Sequence, residues 1–392
     1  MTLIVESAPL AAFCAKAAAS SYVTVDTEFM RDKTYYPQLC LVQVAGEDDA
    51  AVIDALAPGL DLSPLLALMD NPAVLKVFHA ARQDLEIFHN LTGRVPAPLF
   101  DTQVAAMVCG FGEQVSYENL AAQLARARID KSVRFTDWAQ RPLSAKQISY
   151  ALSDVTHLRP AYEALARKLG QSGRAGWLAE EMAILMDPAT YRADPEEVWR
   201  RMKPRGAKPR FLAILKEVCA WREREAQRRD TPRNRVVRDE TILDVAAHAP
   251  ESLEDLARMR GINRGFTEGR LGQEMMEAVK RGLATPVDKA PALPESPDLP
   301  PGLGPVVELL KVLLKMKCEE HGVAQKLVAT TADLERIAAD DVADVPALQG
   351  WRREVFGEAA LDMKAGRLGF TLKGKKIVLM RLDGAATAVA ST

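Results

Sequence analysis

The spacing of apolar and polar positions changes character along the chain. From Leu3 to about Leu169, short β-branched and aromatic runs alternate with stretches of helical period, which predicts an α/β domain. The clearest strand is Tyr22-Val-Thr-Val-Asp-Thr-Glu-Phe29, and a shorter apolar run spans Val74 to Phe78. Between Ala80 and Leu91, the residues Leu85, Ile87, Phe88 and Leu91 supply the buried stripe of a helix. From Ser144 to Leu169, Ile148, Leu152, Val155, Leu158, Leu165 and Leu169 recur at helical spacing, and a further helix is expected over Gly176 to Met186. Beyond it the pattern is helical almost throughout, with segments around 211–229, 239–249, 252–259 and 264–281. Ser252 is placed to cap a helix and Gly261 to stop one. Residues 284–305 are rich in proline with little to bury and read as an extended linker, after which a last helical unit runs from Val306 to about Leu368.

Acids stand at informative places in this pattern. Side chains alternate across a strand, so Asp26 and Glu28 share one face near the strand's C-terminal end while Thr27 points away. Asp84 lies early in its helix, and Tyr150 and Asp154, four residues apart, project from one helical face. Singly, these are a strand-edge pair, an acid favoured by a helix dipole, and a surface pair. Gathered by a fold, they would be a nest of oxygen ligands for hard cations, Mg²⁺ or Mn²⁺. Two such ions suit phosphodiester hydrolysis, one activating water and the other stabilising the leaving oxygen. A tyrosine, with an unperturbed pKa of about 10, is a weak base at neutral pH, so Tyr150 is expected to orient the water.

Length and composition change the picture only in part. At 392 residues the chain exceeds one ordinary core, so two or three domains are expected. No apolar run is long enough to cross a bilayer, and the N-terminal stretch has no basic region and is interrupted by Glu6, so a cytoplasmic protein without a membrane partner is expected. The five cysteines are scattered without a Cys-x-x-Cys pair, which predicts buried free thiols. The net charge of −2 conceals a basic region, because residues 200–238 hold fourteen Lys and Arg against four acids. Glu223 and Glu225 interleave with the arginines of WREREAQRR and would suit a solvated helix face, but the flanks KPRGAKPR and TPRNRVVR have far less compensation. Contact with the phosphates of a nucleic acid is therefore expected there.

Asp-x-Glu, Asp and Tyr-x-x-x-Asp, in this order, resemble the DEDD exonuclease superfamily in its tyrosine subgroup. The stretches DTEFMRDKTYYPQLCLVQVA, VFHAARQDLEIF, FTDWAQRPLS and QISYALSDVTHL are similar to bacterial ribonuclease D, and the likeness extends over essentially the whole chain. His157 stands where relatives often carry a tyrosine; no catalytic position departs. The resemblance implies a ribonuclease H-like α/β exonuclease domain, a mixed sheet flanked by helices, over residues 1–170. A helical connector (171–204), an all-α HRDC domain (205–283), the linker (284–305) and a second, diverged HRDC-like domain (306–385) would follow.

It implies hydrolytic 3′→5′ removal of nucleotides as 5′-monophosphates, with precursor tRNA as the RNA partner and a monomeric enzyme. Asp26 would bridge two metals, Glu28 and Asp154 would complete the site carrying the nucleophile, and Asp84 would support the second ion. Phe29, His79, Arg134, Trp138 and Arg141 are the expected substrate contacts. A DNA-directed proofreading enzyme would be expected to carry a polymerase or helicase domain. A non-catalytic scaffold would be expected to have lost one of the four carboxylates.

Overall fold

The computed structural model describes residues 2–133, 136–202, 204, 208–293, 300 and 302–382. Six strands form one mixed sheet: β1 (Thr2–Ile4), β2 (Tyr22–Met30), β3 (Gln38–Ala45), β4 (Ala50–Asp54), β5 (Leu75–Phe78) and β6 (Leu99–Asp101), in the order β1-β4-β3-β2-β5-β6. β2, β3 and β4 are an antiparallel meander, while β5 lies parallel to β2, β6 parallel to β5, and β1 parallel to β4. The helices of this domain are α1 (Ser7–Ala17), α2 (Ser63–Asp70), α3 (Arg82–Thr92), α4 (Thr102–Val108), α5 (Tyr117–Leu120), α6 (Ala145–Thr156), α7 (Leu158–Ser172) and α8 (Ala175–Met186).

The two faces of β2 are covered differently. Val23 and Val25, with Val44 opposite Val25 and Val42 opposite Thr27, join the main core with Leu10 of α1, Leu65 of α2, Leu85 and Phe88 of α3 and Leu165 of α7. On the other face Leu41 and Val52 pack with Ala151 and Leu152 of α6 and with Trp138. β2 thus runs between two helical layers, and its C-terminal end opens where α3 and α6 approach from opposite sides.

Two expected helices are divided. The segment from Ser144 to Leu169 breaks at His157 into α6 and α7. Pro160 has no N–H to give and its ring crowds the carbonyl four residues back, so the first helix cannot run through. The segment from Arg264 to Arg281 becomes α13 (Arg264–Glu268) and α14 (Arg270–Ala284), because Gly269 between them is extended. Before these come α9 (Pro209–Arg228), α10 (Arg233–Val236), α11 (Asp239–His248) and α12 (Leu253–Ala257). Ser252 accepts from the Asp255 N–H as the cap of α12, and Gly261 has a φ of +84°. This bundle has its own core, with Trp199, Leu215, Cys219, Ile242, Leu256 and Val279.

A third core joins α15 (Gly304–His321), α16 (Gln325–Val328), α17 (Thr331–Ala339), α18 (Gly350–Arg352) and α19 (Glu358–Lys364), with Leu313, Ile337 and Phe356 at its centre. This last unit is not wholly helical. β7 (Leu368–Lys373) and β8 (Lys376–Arg381) form an antiparallel hairpin whose turn uses Gly374 at φ +63°. Residues 294–299, in the middle of the expected linker, and 383–385, at the end of the expected last domain, lie outside the described residues. No described helix is long and apolar enough to cross a membrane, and all five cysteines are buried and free.

Both helical units dock on the sheet domain. The loop leaving β2 is fastened to α9: the backbone N–H groups of Tyr35 and Tyr36 donate to Asp230, both at 3.0 Å, and the Tyr35 phenol donates to Glu223, which also binds Arg233 bidentately. The last unit stacks Trp351 on Trp177 of α8, with ring centres 4.2 Å apart. Its Arg352 pairs with Glu180 and Glu181 of α8.

Candidate active site

The four acids and the tyrosine expected at the centre of function all line one cleft of about 520 Å³. Asp26 and Glu28 reach it from the end of β2, where the register with β3 slips between Glu28 and Phe29 so that Cys40 is an extra residue on the partner strand. A bulge bends its strand and re-aims the neighbouring side chains, and this one sits beside the acids. α6 brings Asp154 over the same face. Its position is fixed by its capping box, Ser144 with Gln147, and by the Thr24 hydroxyl donating to the Val155 carbonyl at 2.8 Å. One oxygen each from Asp26, Glu28 and Asp154 lies within 4.8 Å of the others.

Asp84 arrives from the opposite layer, in the first turn of α3. Thr27, which points away from the Asp26 face, donates its hydroxyl to Asp84 and ties the fourth acid to the same strand. The turn that presents α3 is held by Asp101, at the end of β6. Its carboxylate accepts from the N–H groups of Ala80 (3.0 Å) and Ala81 (2.8 Å), and it caps α4 through Gln103 and Val104. Ala80 has a φ of +57°, a left-handed conformation that an alanine keeps only when its surroundings hold it there.

Electrostatics show what the nest is suited to hold. Burial, and then the charge of Asp154, push the Asp26 carboxyl well above the ordinary carboxylate range; burial, and then Asp26, do the same to Asp84. Carboxylates this close cannot all ionise unless a cation neutralises them. The donors are all hard oxygens, and the set therefore fits a divalent ion such as Mg²⁺ or Mn²⁺.

Among the expected substrate contacts, Phe29 and His79 line the cleft. The Thr102 hydroxyl donates to the Phe78 carbonyl, which leaves its oxygen to accept from His79 Nδ1 at 3.0 Å, and burial lowers the His79 pKa. That histidine is a neutral wall of the cleft. Trp138 and Arg141 stand behind the cleft, a correction to the contact expected of them. Trp138 is 3% exposed and stacks under Tyr150 with ring centres 6.1 Å apart. Arg141 is spent on a bidentate pair with Asp54 (2.7 and 2.6 Å) and on the carbonyl of the bulged Cys40 (3.2 Å). Both brace the strand end and the tyrosine. Arg134 lies outside the described residues.

Three contributors were not anticipated: Thr27, Asp101 and Tyr117. Tyr117 lines the cleft, donates to the Ser153 carbonyl at 2.8 Å, and lies against His79. Burial and the charges of Asp154 and Asp26 push its phenol far up, so it is a neutral donor. Asp101 carried a readable signal, an acid at a strand end followed directly by a helical run. Within the expected basic stripe, Arg222 is buried and pairs with Asp239, and Arg224, Arg228 and Arg233 pair with Glu196, Glu225 and Glu223, while Lys208, Arg210, Arg235 and Arg238 of the flanking segments are exposed.

This sheet order with its acidic nest defines a 3′→5′ exonuclease of the DEDD class, and residues 1–170 match the family model described as a 3′-5′ exonuclease while residues 211–279 match the HRDC domain. A ribonuclease D of Acidiphilium cryptum is 53% identical over 97% of each chain, and one of Granulibacter bethesdensis is 52% identical over 97% of this chain and 96% of its own. The crystal structure of Escherichia coli RNase D, an exoribonuclease involved in structured RNA processing, superposes with a TM-score of 0.79 at 30% identity. It covers 93% of this chain and 98% of that one. The chain belongs to the ribonuclease D family and is a hydrolytic 3′→5′ exoribonuclease. Its exonuclease family works with divalent metal ions.

Proposed function

We propose that Asp26, Glu28, Asp84 and Asp154 hold two divalent cations, Mg²⁺ or Mn²⁺, and that the enzyme trims the 3′ ends of precursor tRNAs as a cytoplasmic monomer. The observation that carries the site assignment is the convergence of three carboxylate oxygens within 4.8 Å, with Asp84 held to the same strand through Thr27. Asp26 would serve both ions, Glu28 and Asp154 would complete the site of the one that activates water, and Asp84 would support the other, directly or through water. When bound, the ions lower the pKa of a water and stabilise the leaving oxygen of an in-line displacement at phosphorus. The protein supplies geometry. Tyr150, stacked on buried Trp138, is held in one orientation, suited to fixing the direction of the attacking water. His79 and Tyr117 wall the cleft as neutral groups, and Phe29, which also lines it, would meet the terminal base. The tRNA assignment rests on the family and on the structured-RNA role of the Escherichia coli relative. Residues 306–385 are taken as a diverged second HRDC copy, because the succession of long helix, single turn and helix in α9, α10 and α11 recurs in α15, α16 and α17.

Tyr150→Phe is expected to lower kcat roughly 10- to 100-fold with little change in KM, the cost of one lost hydrogen bond to a reacting group. Steady-state kinetics on a single-stranded RNA check this; an unchanged kcat would remove the tyrosine from the mechanism.

The raised carboxyls also set a pH dependence. Below the unfolded carboxylate pKa of about 4, both states are protonated and Asp26 and Asp84 contribute nothing. As pH rises from there toward their raised folded values, the unfolded chain loses protons that the folded one keeps, and stability falls. In EDTA, Asp26→Asn should therefore melt higher than the parent at pH 7, with the difference shrinking toward pH 4. Added Mg²⁺ or Mn²⁺ should raise the parent Tm more at pH 7 than at pH 5. Calorimetry across pH reads both; a metal-induced Tm shift independent of pH would contradict the assignment.

A further inference from the structure

Around the corner from the catalytic cleft lies a second one, of about 620 Å³, between the sheet domain and the first helical bundle. α3 separates the two. Gln83 and Asp84 line the catalytic side, whereas Arg82, Glu86 and His89 line the second cleft, so the residues of α3 that face the two lie within roughly 10 Å of one another along the helix axis. The far wall comes from residues 190–201 and from the end of α9, and the roof is the loop that continues β2.

Its chemistry is that of a strand-binding groove. Five arginines line it (Arg31, Arg82, Arg192, Arg201 and Arg233) against two acids, Glu86 and Asp194. Arg31 is occupied by Glu86 and Arg233 by Glu223. Arg82, Arg192 and Arg201 are exposed and have no carboxylate partner among the described residues. Guanidinium groups left unpaired around a concave surface are suited to phosphate oxygens. Beside them Tyr36 is 38% exposed, set edge-on to Tyr35 at 4.7 Å, and presents a free aromatic surface. Both ring nitrogens of His89, which lies against Tyr191, are buried without a hydrogen-bond partner. Unpaired arginines and an exposed tyrosine in one groove are what a single strand requires, phosphate pairing with base stacking.

We propose that this second cleft binds the RNA strand immediately 5′ of the nucleotides in the catalytic cleft, with Arg82, Arg192 and Arg201 on its phosphates and Tyr36 stacked on a base. The proposal rests on the exoribonuclease reading and adds to it a site outside the carboxylate nest. The cleft lies between the two domains, so its geometry depends on the Tyr35–Glu223–Arg233 lock that joins them. The helical bundle thereby takes part in holding substrate through one face against α3, while most of its α9 arginines serve the bundle itself.

The test is a double variant of the full chain, Arg192→Ala with Arg201→Ala, and separately Tyr36→Ala. Binding to a fluorescent single-stranded oligoribonucleotide is followed by anisotropy in EDTA over a range of salt. The expected result is roughly ten-fold weaker binding at physiological salt and a log K against log salt slope shallower by about 1.4, two phosphate contacts at about 0.7 each. The double lysine variant should recover the slope. Tyr36→Ala should weaken binding with the slope unchanged. In Mg²⁺, kcat/KM on the long RNA should fall relative to that on a dinucleotide, which is too short to span both clefts. Unchanged affinity and slope in a folded double variant would overturn the proposal, as would an equal loss on dinucleotide and long RNA. Failure of the parent to degrade RNA with Mg²⁺ would instead sink the exoribonuclease reading on which the proposal rests.

Discussion

Asp26→Asn, and separately Asp154→Asn, should fold as the parent does and release mononucleotides about a thousand-fold more slowly. The substitution keeps size and one carbonyl oxygen but removes the charge that a divalent ion requires from its ligand. Each of these carboxylates is one of three whose oxygens lie within 4.8 Å, so neither has a spare neighbour to take its place. Lewis-acid stabilisation is worth several kcal/mol, and about 1.4 kcal/mol is a factor of ten in rate. Burial first, and then the neighbouring charge, raises the Asp26 and Asp84 carboxyls, and the asparagine removes one ionisable group from this nest, so loss of activity should come with equal or greater stability in EDTA. Single-turnover kinetics beside a thermal melt separate the two effects. A rate near that of the parent would remove the carboxylate nest from the mechanism.

The second large effect is expected away from the metals. Asp101→Ala should cost about 2–4 kcal/mol and lower Tm by roughly 5–15 °C. The change removes the cap of α4, and it leaves the Ala81 N–H buried without a partner. It also releases Ala80 from its left-handed conformation, and with it the turn that aims α3 and Asp84. Activity should therefore drop by more than the unfolded fraction explains, even well below Tm. Asp101→Asn keeps one acceptor oxygen for the α4 cap and should fall between the two. If Asp101→Ala melts lower but retains the parent's kcat in its folded fraction, Asp101 supports the fold without positioning Asp84.

Both predictions draw on what was and was not legible in the chain. Asp26, Glu28, Asp84, Tyr150 and Asp154 were readable because strand and helix periodicities place acids on faces, and because their order resembles a known family. The division of α6 from α7 was written in Pro160, and the hairpin at β7 and β8 in the alternation around Lys373-Gly-Lys-Lys376. Other features depend on contacts that no local pattern announces. Thr27 was read as pointing away from the acids, which is true of Asp26 and Glu28 but not of Asp84, since that acid comes from the other layer. Arg141 sits in a loop whose composition resembles a substrate clamp, yet the bulge at Cys40 exposes a carbonyl and Asp54 supplies a carboxylate beside it, and together they capture the guanidinium. The centre of the basic stripe is compensated in the same way, whereas its flanks stay exposed at Lys208, Arg210, Arg235 and Arg238. Glu223 and Glu225 are buried and pair with Arg233 and Arg228, so part of the positive charge in the centre of the stripe is neutralised. Exposed arginines also come together from outside that stripe, where Arg82 and Arg192 meet Arg201 at the second cleft.

The most direct measurement is of the product. An RNA with a single-stranded 3′ tail, labelled in its terminal phosphodiester, and the DNA of the same sequence are incubated with the protein in Mg²⁺ and in EDTA. The released label is then identified by chromatography. The account predicts 5′-mononucleotides from the RNA, appearing one at a time from the 3′ end, only in Mg²⁺, and far more slowly from the DNA. Release of oligonucleotides, of 3′-phosphates, or of mononucleotides at an undiminished rate in EDTA would contradict it.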